Sequence, residues 1–210
     1  MGLRFFILRL LTLCVLLFSS EVAMAYEEPK YEVLEKSEAF ELRAYKPMII
    51  AEAFVDGSMY EASSKGFKLI ADYIFGNNKS RSGASEKISM TIPVAMAPKS
   101  EKISMTAPVS MQENAGKWRM YFVMPSKYTL ETLPVPNNAE VQLREVPGKK
   151  FAVVRFSGLA GEEKTAKKTE ELLAWLEAKK IKPSGAPELA RYNSPFTLPF
   201  LRRNEVMVEY

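Results

Sequence analysis

The sequence predicts an α+β domain built from two similar halves, with an antiparallel sheet curling towards a barrel and two helices packed outside it. Three observations predict it. The order strand, strand, helix, strand, strand occurs twice along the chain. Glu41-Leu-Arg43, Ala51 and Val55-Asp-Gly57 set against Gln142-Leu-Arg144, Ala152 and Phe156-Ser-Gly158 at a constant offset of 101. The segments between turns alternate with period two or carry a helical stripe, so each element type is legible on its own.

Residues 1–25 stand outside this pattern. Arg4 and Arg9 precede the apolar run Leu10–Phe18, which is short for a membrane span, and Ala23-Met24-Ala25 has the form of a cleavage site. We read 1–25 as a signal peptide and 26–210 as the domain, with halves at about 31–125 and 139–210. The expected location is the periplasm or the exterior, with no stable membrane span after cleavage. Without Arg4, Arg9 and Glu21 the chain keeps 27 basic and 24 acidic side chains, a net charge of +3. This is ordinary solvation and argues against nucleic acid as a partner. Cys14 is the only cysteine and there is no histidine. Disulfides, Cys/His zinc sites and Ser-His or Cys-His dyads are therefore excluded from the domain.

In order, Tyr31–Ser37, Ala39–Tyr45 and Met48–Val55 read as strands. Ser58 caps a helix that carries Met59, Tyr60, Phe67, Ile70, Tyr73 and Ile74 near one face and ends at Gly76-Asn77-Asn78. The polar stretch 77–85 reads as a loop. Then one phrase is written twice: Glu86–Met96 returns as Glu101–Met111 with nine of eleven positions identical. The alternation in each copy predicts two strands pairing with each other. The second copy is expected in the main sheet, because it leads directly into the strand Lys117–Met124. The first is expected to be an insertion whose removal, 86–100, leaves a folded domain. Residues 128–138 read as an irregular linker. Val141–Val146 and Lys150–Phe156 read as a hairpin about Pro147-Gly148. A second helix spans Glu162–Lys180 with a buried stripe at Ala166, Thr169, Leu173 and Leu176. Arg191–Asn193 and Glu205–Tyr210 close the chain.

Few residues nominate chemistry. Six of the nine methionines in 26–210 fall between Met90 and Met124. Thioethers can bind Cu(I), but these lie within apolar alternation, where thioethers fill core gaps. Glu162-Glu163 sit where a helix dipole favours acids. Ser64 and Lys65 are helical neighbours whose side chains point apart. No catalytic centre and no metal site emerges, and a non-enzymatic protein is expected. The loop Pro195–Leu201 is unusual in being apolar, with Phe196, Leu198 and Phe200 followed by Arg202-Arg203. It covers either the core or a flat apolar ligand with acidic edges, to which paired arginines are suited.

Met105-Thr-Ala-Pro-Val109, the aromatic strand ending in Met124-Pro125, Tyr60-Glu-Ala62 with Ala71-Asp-Tyr73, and Arg202-Arg203-Asn204-Glu205 together resemble the SOUL haem-binding protein family over about Tyr31–Tyr210. The resemblance implies a duplicated, gyrase-inhibitor-like fold. It also implies haem or a related tetrapyrrole in a shallow apolar cleft between the first helix and the loop before the last strand. Carried over, that cleft is lined by Tyr60, Phe67, Ile70, Ala71, Phe196, Leu198 and Phe200, with Arg202 and Arg203 at its rim. One branch of the family uses an axial histidine, which this chain lacks. The other uses basic residues at positions that match Ser64, Asp72 and Leu198 here. The expectation is a monomer that binds haem weakly. An envelope protein taking a peptide or lipid in the same cleft is the alternative from a different class, and a carboxylate-based enzyme is the third.

Overall fold

The computed structural model describes residues 26–98 and 117–210. The proposed signal segment and the second copy of the repeated phrase lie outside the described residues. The elements are β1 (Tyr31–Ser37), β2 (Phe40–Tyr45), β3 (Met48–Asp56), α1 (Met59–Ile74), β4 (Asn78–Lys79), β5 (Val94–Pro98), β6 (Lys117–Val123), β7 (Val135–Pro136), β8 (Gln142–Val146), β9 (Lys149–Phe156), α2 (Glu162–Ala178), β10 (Glu188–Arg191), a 3-10 turn at Pro199–Leu201, and β11 (Asn204–Glu209). The small ribbon of β4 and β7 ties the segment after α1 to residues 128–138, both expected to be irregular.

Among the described residues nine strands form one antiparallel sheet of order β1-β2-β9-β11-β10-β5-β6-β3-β8. Apart from β1, the order is palindromic: exchanging the halves maps β2 onto β8, β9 onto β3, β11 onto β6 and β10 onto β5. The pseudo-twofold axis passes beside the Leu189–Met96 pair of β10 and β5. The two-residue links Lys46-Pro47 and Pro147-Gly148 join strands that stand far apart in this order. Such short links reach only if the sheet curls until its ends approach each other, which makes the half-barrel. They also correct one expectation. β8 and β9 do not form a hairpin, because β8 pairs with β3 whereas β9 pairs with β2 and β11.

The repeated phrase is a second correction. The first copy belongs to the core: Val94–Pro98 pairs with both β6 and β10, and Ile88, Thr91, Ala95 and Met96 are buried. Residues 88–92 form no strand, and Thr91 is bridged to Glu27. The expected alternation does not hold over 88–92: Thr91 is buried, its hydroxyl donating to the Val123 carbonyl, while Met90 and Ile92 are only half-buried.

Alternation divides the sheet into two faces. On the convex face Ala51, Met96, Met120, Phe122, Val154 and Val206 pack beneath the helices. On the concave face Tyr45, Ala95, Phe151 and Met207 form a second apolar cluster. Helix α1 starts at a full capping box, in which Ser58 and Glu61 exchange hydrogen bonds. It buries Met59, Ala62, Gly66, Ile70, Tyr73 and Ile74. Gly66 is required by close approach, since a Cβ there would meet the Met120 Cβ at 2.9 Å. Helix α2 buries Leu172 and Leu176, so its stripe is centred one position from the expected one and leaves Ala166, Thr169 and Leu173 half-buried.

Candidate functional site

Two surfaces have the composition of a binding site, one on each face of the sheet. The first lies beside α1. Ser194–Leu201 folds back on itself and satisfies its own backbone: Arg202 donates from Nε to the Thr197 carbonyl at 2.7 Å and from Nη2 to the Pro195 carbonyl at 2.6 Å. The Gly158 amide donates to the Pro199 carbonyl, and the Asn204 side chain donates to the Gly158 carbonyl. With the backbone so occupied, the side chains turn outward. Phe196 is 95% exposed, Phe200 69% and Leu198 56%, and Leu201 and Leu159 are exposed as well. Arg191 joins this region to the helix by donating to the Ser63 hydroxyl at 2.9 Å and to the Ala160 carbonyl at 3.1 Å. Tyr60 and Phe67, on the same flank of α1 as Ser63, are exposed too.

The nine residues expected in the cleft therefore separate. Tyr60, Phe67, Phe196, Leu198 and Phe200 are exposed apolar groups on elements that Arg191 holds together. Ile70 is fully buried and Ala71 nearly so, because both turn towards the sheet; as placed, neither lines an open surface. Arg202 is committed to the loop carbonyls. Arg203 pairs with Glu205 at 2.9 Å and Glu28 at 3.1 Å, its guanidinium 3.7 Å above the Tyr192 ring. Neither arginine stands free at the rim.

The patch fits the macrocycle of a porphyrin better than its iron. It offers broad apolar side chains for a flat ring. Its only oxygen donor among the expected lining residues is the Tyr60 phenol, and no imidazole or thiolate exists in the domain.

The concave face carries what sequence reasoning missed. A cavity of about 510 Å³ lies in the half-barrel, lined among others by Met48, Val123, Phe151 and Met207. Its charged groups come from β3, β6, β8, β9, β10 and β11. Arg144 grips Glu52 from Nε at 2.9 Å and Nη2 at 3.2 Å. Arg119 donates to Glu188 at 2.8 Å, and the Tyr121 hydroxyl donates to the same carboxylate at 2.6 Å. Burial, then the neighbouring Glu188 charge, push the Tyr121 phenol well above its usual range, so it remains a donor at neutral pH. The signal in the sequence was Glu52, a lone acid inside the apolar run Met48–Val55. A shallower depression of about 630 Å³ on the opposite flank of α1 is lined mostly by charged groups, Lys65, Lys68, Asp72 and Glu140 among them. None of the nine expected residues lines either cavity.

Beneath the concave face lies a buried ionic network. Arg43 donates from Nη1 and Nη2 to Glu205 at 2.8 and 3.0 Å and from Nη1 to the Tyr45 hydroxyl, and the Tyr192 hydroxyl donates to Glu205 at 2.6 Å. Burial would raise the Glu205 carboxyl, but the hydrogen bonds from Arg43 and Tyr192 and the charges of Arg43 and Arg203 hold it below its usual range.

This arrangement of two helices on a pseudo-twofold half-barrel recurs in solved structures. The C-terminal domain of EcmrR matches with a TM-score of 0.57 at 10% identity, covering 85% of this chain and 96% of that one. A hydrolase from Listeria innocua matches with a TM-score of 0.53 at 12% identity, covering 83% and 93%. At such identities the likeness is one of fold alone. No curated protein matches the chain significantly. The family model described as SOUL heme-binding protein matches residues 26–209, and the chain belongs to that family. Among the described residues no helix is long and apolar enough to cross a membrane.

Proposed function

We propose that this protein is an exported, non-enzymatic, monomeric tetrapyrrole carrier that holds haem or a related porphyrin on the patch formed by Tyr60, Phe67, Phe196, Leu198 and Phe200, without a histidine ligand. Membership of a haem-binding family supports the ligand class. The observation that carries the site is the loop 194–201, whose backbone bonds are spent internally while its phenylalanines and leucines face solvent. Monomeric proteins seldom expose a contiguous apolar patch without a partner for it. A porphyrin face removes a few hundred Å² of apolar surface from water, which at about 25 cal/mol per Å² supplies several kcal/mol before association costs. With Arg202 and Arg203 engaged, Lys164 is a candidate for an acidic ring substituent, since it reaches the Ser157 carbonyl beside the loop.

Haem supplies an iron centre when bound, but the chain's own residues act on the ring. Affinity should therefore depend little on the metal. In fluorescence titrations, metal-free protoporphyrin and its zinc complex are expected to bind within a few-fold of haem, all at micromolar Kd or about −8 kcal/mol. Haem binding with no binding of the metal-free ring would mean that an axial ligand carries the affinity, and the patch reading would be wrong.

A further inference from the structure

The concave cavity is a site of its own, and its hydrogen-bond inventory says what it takes. Both oxygens of each central carboxylate are engaged: Glu52 receives Arg144 on both, and Glu188 receives Arg119 on one and Tyr121 on the other. The donors are not exhausted. The Nε of Arg119 is buried without a hydrogen bond, its ion-pair contact with Glu52 standing at 4.0 Å. Arg144 applies one edge of its guanidinium to Glu52 and is 47% exposed, leaving its other edge open to the cavity. Lys149 lines the same cavity, with one ion pair to Glu209 and further N–H groups beyond it. Around these groups the wall is apolar, with Met48, Val123, Phe151 and Met207.

Arg119, Arg144 and Lys149 balance Glu52, Glu188 and Glu209 in charge, but the open guanidinium edge of Arg144 over an apolar wall complements an anionic head on an apolar body. We propose that the concave cavity binds a small amphipathic carboxylate, its head group on the open edge of Arg144 and its body along Met48, Val123, Phe151 and Met207. The volume, about 510 Å³, suits a medium-chain acid and lies within the usual range for small-molecule sites. The site is independent of the porphyrin patch, which lies on the other face of the sheet.

Calorimetric titration of the domain with decanoate, decan-1-ol and decylammonium tests this. Decanoate is expected to bind at least about tenfold more tightly than either neighbour of equal chain length, because only it pairs with Arg144. The variants Arg144→Leu and Glu52→Leu/Arg144→Leu are each expected to lose about tenfold or more in decanoate affinity. The double variant removes the pair together and so avoids stranding Glu52, which keeps the test clear of misfolding. Phe200→Asp should leave decanoate binding unchanged. Equal or tighter binding of decylammonium, undiminished decanoate binding by the double variant, or loss of decanoate binding in Phe200→Asp would each overturn the proposal.

Discussion

Arg43→Leu is expected to cost about 3–5 kcal/mol of folding stability, a large share of what a domain of this size possesses. Arg43 is 2% exposed and Glu205 fully buried. Removing the guanidinium leaves the carboxylate with the Tyr192 hydroxyl and Arg203, and with its desolvation largely uncompensated. The pair joins β2 to β11 across 162 residues, so the loss is felt by both halves. Urea denaturation followed by circular dichroism measures it. Arg43→Leu/Glu205→Leu should recover part of the loss, since the buried carboxylate is then no longer stranded, while the Tyr45 and Tyr192 hydroxyls still lose their partners. The pH dependence has a definite sign. The folded carboxyl of Glu205 lies below its ordinary value. Its contribution is therefore complete above the unfolded value of about 4.3 and is lost as pH falls through the lower, folded value. Acid unfolding of the wild type should show this term, and the double variant should lack it.

Phe196→Asp/Phe200→Asp is expected to weaken porphyrin binding by about a hundredfold or more, near 3 kcal/mol, with the melting temperature almost unchanged. The size follows from the two rings being the broadest exposed surfaces of the loop, and from the cost of bringing a carboxylate against an apolar ring. The unchanged stability follows from their exposure, 95% and 69%. Phe67 is a poorer choice for this test. Its ring centroid lies 5.5 Å from that of Phe122 in the core, so an aspartate there would disturb folding as well as binding.

What the sequence disclosed and what it hid have physical causes. The doubled order of elements was legible because period two and the helical stripe are local signals, and the half-barrel with two helices follows from them. The Ser58–Glu61 capping box was legible for the same reason. Ile70 was misplaced because the helix stripe was drawn through Tyr60 and Phe67. At about 100° per residue, Ile70 stands roughly 60° from Phe67 and falls on the buried side, four residues after Gly66, where the helix packs closely on Met120. The glycine was the available marker of that contact. The strand order was hidden, since neither link at Lys46-Pro47 or Pro147-Gly148 shows that it turns a barrel corner rather than a hairpin. The Arg43–Glu205 and Arg144–Glu52 pairs were hidden too, because charge pairing across strands leaves no periodic mark. Arg202 and Arg203 were assigned to a ligand from their adjacency, whereas the loop and Glu205 use them.

The central claim is that a tetrapyrrole sits on the patch beside α1, and mapping the bound ring by NMR tests it most directly. Backbone and side-chain signals of the domain would be recorded before and after adding zinc protoporphyrin, which shifts nearby resonances through its ring current. The account predicts the largest changes at Tyr60, Phe67 and residues 196–201, with Tyr121, Arg144 and Glu188 on the concave face unmoved. Changes concentrated on the concave face, or none at the loop, would contradict it.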